Sequence, residues 1–306
     1  SARRSHCERV FNKMTETDDG RPLGVSWYVI ERWLSGKGIR DASKDTVLER
    51  QLTPELSQRF GLQRAEDASL LPDASLSALC GELDIGIGYG YGGRRAQLEA
   101  LRAPITSTAD VHRHIITPHC HAAGRRSIAE SLRGTMVTET LWNKLVPAVG
   151  PATCFVSHVW TCDLDETLSA LDEHMCTVPL HERDQQYFFL DILCINPYDS
   201  QTFGSEGWSH VFERSVGAIG HTLLVAIPAL APAALHRSWC LWELLCTLQT
   251  GSSLTVATSQ REHGTLANLH DYPAAIAALA AIDSERAQAT YARDKARIDA
   301  CILAAG

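Results

Sequence analysis

Three short apolar runs, set apart by helix-length intervals, constrain this chain more than any other feature. They are Cys154-Phe155-Val156, Tyr187-Phe188-Phe189-Leu190-Asp191-Ile192 and Thr222-Leu223-Leu224-Val225-Ala226-Ile227. Runs of this length, bounded by polar or Gly/Pro segments, read as strands buried on both faces. Polar-apolar segments of helical length separate them, which is the rhythm of an open α/β sheet. Leu254-Thr255-Val256-Ala257 reads as a fourth strand. The fold class predicted is α/β, an open parallel sheet flanked by helices, with a mainly helical N-terminal region. In such sheets ligands sit outside the carboxyl ends of the strands. Ser157, His158, Trp160, Asp191 and Asn196 all fall there.

With 306 residues, 45% of them hydrophobic, the chain supports one large or two ordinary cores. Its formal net charge of -8 argues against general binding to nucleic acid or to an anionic membrane. No apolar run approaches the ~18–20 residues of a membrane span. Residues Ser1–His6 carry no apolar core of a secretory signal. The 10 cysteines include no C-x-x-C pair, and Cys154, Cys194, Cys240 and Cys246 lie inside apolar runs. Free buried thiols in an intracellular, cytoplasmic protein are therefore expected.

The first hundred residues show no strand rhythm. Trp27, Ile30, Trp33 and Leu34 have helical spacing. Thr46–Leu52 reads as a second helix or turn, and Thr53-Pro54 as an N-cap followed by proline in the first turn. Leu76–Leu83 reads as a short helix. The alternating glycines of Gly86–Gly93 suit a flexible loop better than a phosphate cradle, since neither nucleotide-binding glycine motif is present. His112, His114, His119, Cys120 and His121 form the densest set of metal-ligand types, but Pro118 interrupts any single helical face and the spacing matches no standard finger. We read it as a polar helix end, and assign no metal ligand. The expected organisation is a mainly helical region 1–104, a helical lead-in 105–150 and an α/β domain 151–306.

Asp163, Asp165 and Glu166 open a helix whose buried stripe is Leu164, Leu168, Leu171 and Met175. Ser238 reads as the N-cap of a helix carrying Trp239, Glu243 and Cys246. On it Leu241, Leu244, Leu245 and Leu248 make the expected sheet-facing stripe, with Glu243 at its edge. Pro273–Ala281 and Ser284–Ala304 read as Ala-rich helices.

Taken in order, Phe155-Val156-Ser157-His158, the strand before Asp191, the Ser215 segment and Ser238-Trp239-Cys240-Leu241-Trp242-Glu243-Leu244 resemble the TIR-domain superfamily. The last stretch is similar to the S-x-W-C-x-x-E-L signature of plant-type members. The whole set is similar to TIR-like proteins of algae and other microbial eukaryotes, and the likeness covers about residues 105–300. His158 and Trp160 depart from the more polar loop common after the first strand, and the loop 194–208 is longer than usual.

The resemblance implies an NAD⁺-binding protein that hydrolyses or cyclises NAD⁺ at the nicotinamide–ribose bond. Glu243 would be the catalytic carboxylate, with Ser157, His158, Trp160, Asp191, Asn196 and Trp239 around the nucleotide. NAD⁺ is then substrate, and no cofactor is called for. The other activity class the superfamily implies is a non-catalytic assembly module or subunit of a larger complex, self-associating or meeting protein partners through the helical N-terminal half.

Overall fold

A computed structural model describes residues 16–17, 20–35, 46–83, 94–139, 143–198, 212–267, 282–289 and 292–305. Gly86–Gly93, residues 199–208 of the long loop and Pro273–Ala281 lie outside these residues.

The three apolar runs form parallel strands as expected. They are β5 (Cys154–Ser157), β6 (Tyr187–Phe189) and β7 (His221–Val225), with β8 (Ser253–Ala257) beyond β7. Their order in the sheet is β6-β5-β7-β8, all pairings parallel. The chain thus winds outward from β5 in both directions, which creates a topological switch point between β5 and β7. Phe155, Phe188 and Phe189 are almost wholly buried. Each contributes about 1.5–3 kcal/mol relative to an exposed side chain.

Side-chain alternation sorts the two faces. Phe155 pairs in register with Thr222 and Ser157 with Leu224, so these four share one face. Residues 212–219, helical, cover it through Phe212 against Phe155, and so does the helix Ser238–Gln249 through Thr247 against Thr222. Cys154, Val156, His221 and Leu223 point the other way. There the helix Leu164–Thr177 packs its stripe of Leu164, Leu168, Leu171 and Met175. Asp163 caps that helix by accepting hydrogen bonds from the Asp165 and Glu166 amides.

The described residues of the N-terminal region are mainly helical, but they also give the sheet a strand that the sequence did not announce. β1 (Leu23–Ser26) lies between β6 and β4 (Val149–Pro151), antiparallel to both. All four β1 residues are buried, so no polar alternation marks them. Among the described residues the sheet therefore has six strands, and it is not confined to residues 151–306. Gly24 and Gly150 face each other across β1 and β4. A Cβ at Gly150 would meet the Tyr187 ring at 2.8 Å, and one at Gly24 would meet the Ala152 backbone at 2.9 Å. The stretch expected as a helical lead-in likewise holds a hairpin, β2 (Met136–Thr138) with β3 (Leu145–Pro147).

Residues 46–83 and 94–101 build a satellite core around Leu48, Leu76, Leu79 and Leu101. Thr53 caps the helix Pro54–Phe60 as expected, and Thr46 forms a capping box with Glu49; the helix expected over Leu76–Leu83 starts earlier, spanning Asp73–Glu82. The segment 108–122 stays helical through Pro118 by inserting a π turn, His112–Ile116. Proline cannot donate to the carbonyl four residues back. That carbonyl, on His114, accepts instead from Gln51 Nε2 at 3.1 Å, and the same amide lies 2.8 Å from His114 Nδ1. No helix among the described residues is long and apolar enough to cross a membrane. The C-terminal helix begins later than read, spanning Ala292–Ala305.

Candidate functional site

Ser157 ends β5 on the face covered by the helix Ser238–Gln249. Its hydroxyl donates to Glu243 Oε2 at 2.6 Å. Glu243 is 8% exposed, and burial pushes its carboxyl from the usual range up to about 8. The Ser157 hydrogen bond opposes that rise, and the nearby charge of Asp191 adds to it. Cys240, one turn earlier on the helix, directs its thiol to the His158 carbonyl at 3.4 Å.

Asp191 follows β6 and opens the short helix Asp191–Cys194. Its Oδ2 accepts from Trp160 Nε1 at 2.8 Å, and its Oδ1 accepts from the Ile192 amide at 2.7 Å. His158 Nε2 stands 3.7 Å from Asp191 Oδ1, too far for a direct hydrogen bond. That nitrogen is buried and has no hydrogen-bond partner. Trp160, 37% exposed, stacks at a tilt on His112 with ring centroids 4.5 Å apart. Burial lowers the His112 imidazole to about 4, so the ring is neutral near pH 7.

Five of the residues selected from sequence thus meet at the carboxyl ends of β5 and β6: Ser157, His158, Trp160, Asp191 and Glu243. Two do not join them. Asn196 is a structural amide: its Nδ2 donates to the Arg125 carbonyl at 2.8 Å and its Oδ1 accepts from the Tyr198 amide at 3.0 Å. Trp239 packs against Phe212, ring centroids 5.6 Å apart, on the side of the main core.

The helix carrying Glu243 is also rotated from the expected setting. Leu248 is 73% exposed, while Glu243, Cys246 and Thr247 are buried. The helix lies between the sheet and the C-terminal helix, so apolar residues are needed on more than one side. The strands present the hydroxyls of Ser157 and Thr222, which pair with Glu243 and Thr247. Ser238 is not the N-cap either. Arg237 holds that position, and the Ser238 hydroxyl is buried without a partner.

His112 and Cys240 border the site but were not selected for it. Each had a plain reading, a polar helix end and a buried thiol, and only the packing brings them to the rim. His114 turns toward Gln51, and His119 and His121 are exposed, so the histidine cluster of this helix disperses.

The fold and the site define an open α/β protein with a buried, proton-holding carboxyl at its switch point. Comparison with family models, with curated proteins and with solved structures gives no match for this chain.

Proposed function

We propose that this chain is a TIR-like protein that binds NAD⁺ and hydrolyses or cyclises it at the nicotinamide–ribose bond, with Glu243 as the catalytic residue. The observation that carries the reading is Glu243 itself, held by Ser157 at the switch-point rim, 2.6 Å from its hydroxyl. A carboxyl with a strongly raised pKa beside a second carboxylate is a pattern of functional sites. Nicotinamide departs as a neutral group and takes the bonding electrons. The ribose C1′ becomes oxocarbenium-like, and an ionised Glu243 stabilises that charge. Water then adds at C1′ and gives up a proton, or the adenine ring adds in the cyclising reaction. His158 Nε2, without a partner, and Trp160 Nε1 on Asp191 supply polar and aromatic contacts at the same rim. Free thiols at all described cysteines support a reducing, intracellular compartment.

The test is nicotinamide release from NAD⁺ by purified, concentrated protein. Glu243→Gln keeps the size of the side chain and is expected to lower turnover roughly 100- to 1,000-fold. Unchanged turnover in that variant removes Glu243 from the mechanism. The assembly-module reading has its own support: Glu243 is closed in, and the edge strand β8 exposes Leu254 and Val256. Absence of nicotinamide release by assembled wild-type protein favours it.

A further inference from the structure

We propose that Cys154, His174 and His221 form a binding site for a zinc-class divalent ion, at the opposite end of the sheet from Glu243. One donor atom from each residue lies within 4.8 Å of the other two. Three separate elements contribute: Cys154 starts β5, His221 starts β7, and His174 sits in the last turns of the helix Leu164–Thr177.

The register explains the convergence. Phe155 pairs with Thr222, so Cys154 and His221, one residue earlier, stand side by side on the opposite face. That is the face covered by the helix bearing His174, whose ring also meets Phe188 edge-on at 6.1 Å. His174 is 8% exposed, yet its Nδ1 is buried with no hydrogen-bond partner. A buried imidazole nitrogen without a partner is costly unless something else satisfies it. The His174 and His221 rings lie 5.6 Å apart, centroid to centroid. His221 Nε2 is 3.0 Å from Thr255 Oγ1. Such a second contact fixes a ligand ring's tautomer and orientation in metal sites.

The donor set selects the ion. One thiolate and two imidazoles suit zinc and exclude the hard, oxygen-seeking magnesium and calcium. A tetrahedral ion with ligands at about 2.0–2.3 Å holds its donor atoms about 3.3–3.6 Å apart, within reach of small side-chain rotations. On binding, the Cys154 thiol gives its proton to solvent and its sulfur lone pair to the metal; no oxidation is involved. Water completes the coordination. The ion would tie one helix to the amino ends of two central strands.

The experiment loads the full chain with zinc or cobalt(II), removes loosely held ion by dialysis, and measures metal content and absorption. One equivalent is expected to remain, and the cobalt form is expected to show a thiolate charge-transfer band with tetrahedral visible bands. Both are expected to be lost in Cys154→Ser and His221→Gln and kept in Cys176→Ser, at an exposed thiol. Zinc is expected to raise the Tm of the wild type but not of His221→Gln. If Cys154→Ser fails to fold, the partly exposed position 221 carries the variant test. No retained ion, no thiolate band in the wild type, or equal retention in His221→Gln overturns the proposal.

Discussion

A buried carboxyl keeps its proton well above the pH at which a solvated one lets it go, and unfolding releases that proton. Glu243 is such a group, raised from 4.5 to about 8. Between those values this group holds a proton in the native state that it loses in the unfolded chain, so its contribution to stability falls as pH rises from about 4.5 and levels off above about 8. At about 1.4 kcal/mol per pKa unit, the contribution lost is a few kcal/mol. Glu243→Gln keeps a partner for the Ser157 hydroxyl and removes the titration. The Tm of the wild type minus that of Glu243→Gln is therefore expected to decrease from pH 5 to pH 8, by calorimetry at constant ionic strength. Parallel slopes would contradict the raised pKa. In the same window, nicotinamide release by the wild type is expected to climb with pH and flatten above about 8, because the ionised form does the work. Glu243→Ala is a poorer probe. Removing a buried partner leaves the Ser157 hydroxyl unpaired and opens space, at a cost of about 1–3 kcal/mol before any chemistry is measured.

Elements that look alike in sequence are held by different local devices. The helix 108–122 survives Pro118 because a π turn re-routes the backbone and Gln51, from a distant helix, satisfies the His114 carbonyl. Gln51→Ala leaves that carbonyl and the buried His114 ring without this donor. It is expected to cost about 1–3 kcal/mol, read as a shift in the urea midpoint with unchanged slope. β1 depends on the absence of side chains. Gly24→Ala places a Cβ 2.9 Å from the Ala152 Cα, which is backbone and cannot swing aside. Overpacking of this kind costs about 1–3 kcal/mol. The same denaturant measurement checks it, and a change below about 0.5 kcal/mol would show that β1 is loosely held.

At the scale of the whole molecule, opposing titrations set where the fold is most stable. His112 and His114 are both lowered to about 4 by burial. Each costs stability as pH falls from about 6.5 toward 4, because the unfolded chain then binds the proton more readily. Glu243 acts in the other direction. His174 and His221, also lowered by burial, act in the same direction as His112 and His114. Below about pH 6.5 the histidines outweigh Glu243 and above it Glu243 prevails, so the Tm is expected to peak near pH 6.5; a Tm still rising from pH 6.5 to pH 9 would refute this balance. The sequence alone determined what depends on neighbours along the chain. The parallel strands β5, β6 and β7 follow from their apolar runs, the caps at Thr46, Thr53 and Asp163 from side chains that reach the next turn, and Ser157, His158, Trp160 and Asp191 reach the rim because strands end there. What depends on contacts between distant segments was decided only by the tertiary structure. β1 is uniformly buried and so carries no period to read. The helix of Glu243 is packed on two sides, so its leucine stripe does not say which face meets the sheet. Asn196 was drawn away by the Arg125 carbonyl, and Cys154, His174 and His221 meet only through register and helix packing. Local hydrogen bonding and periodicity act over a few residues, whereas burial of a given face is settled by whatever packs against it.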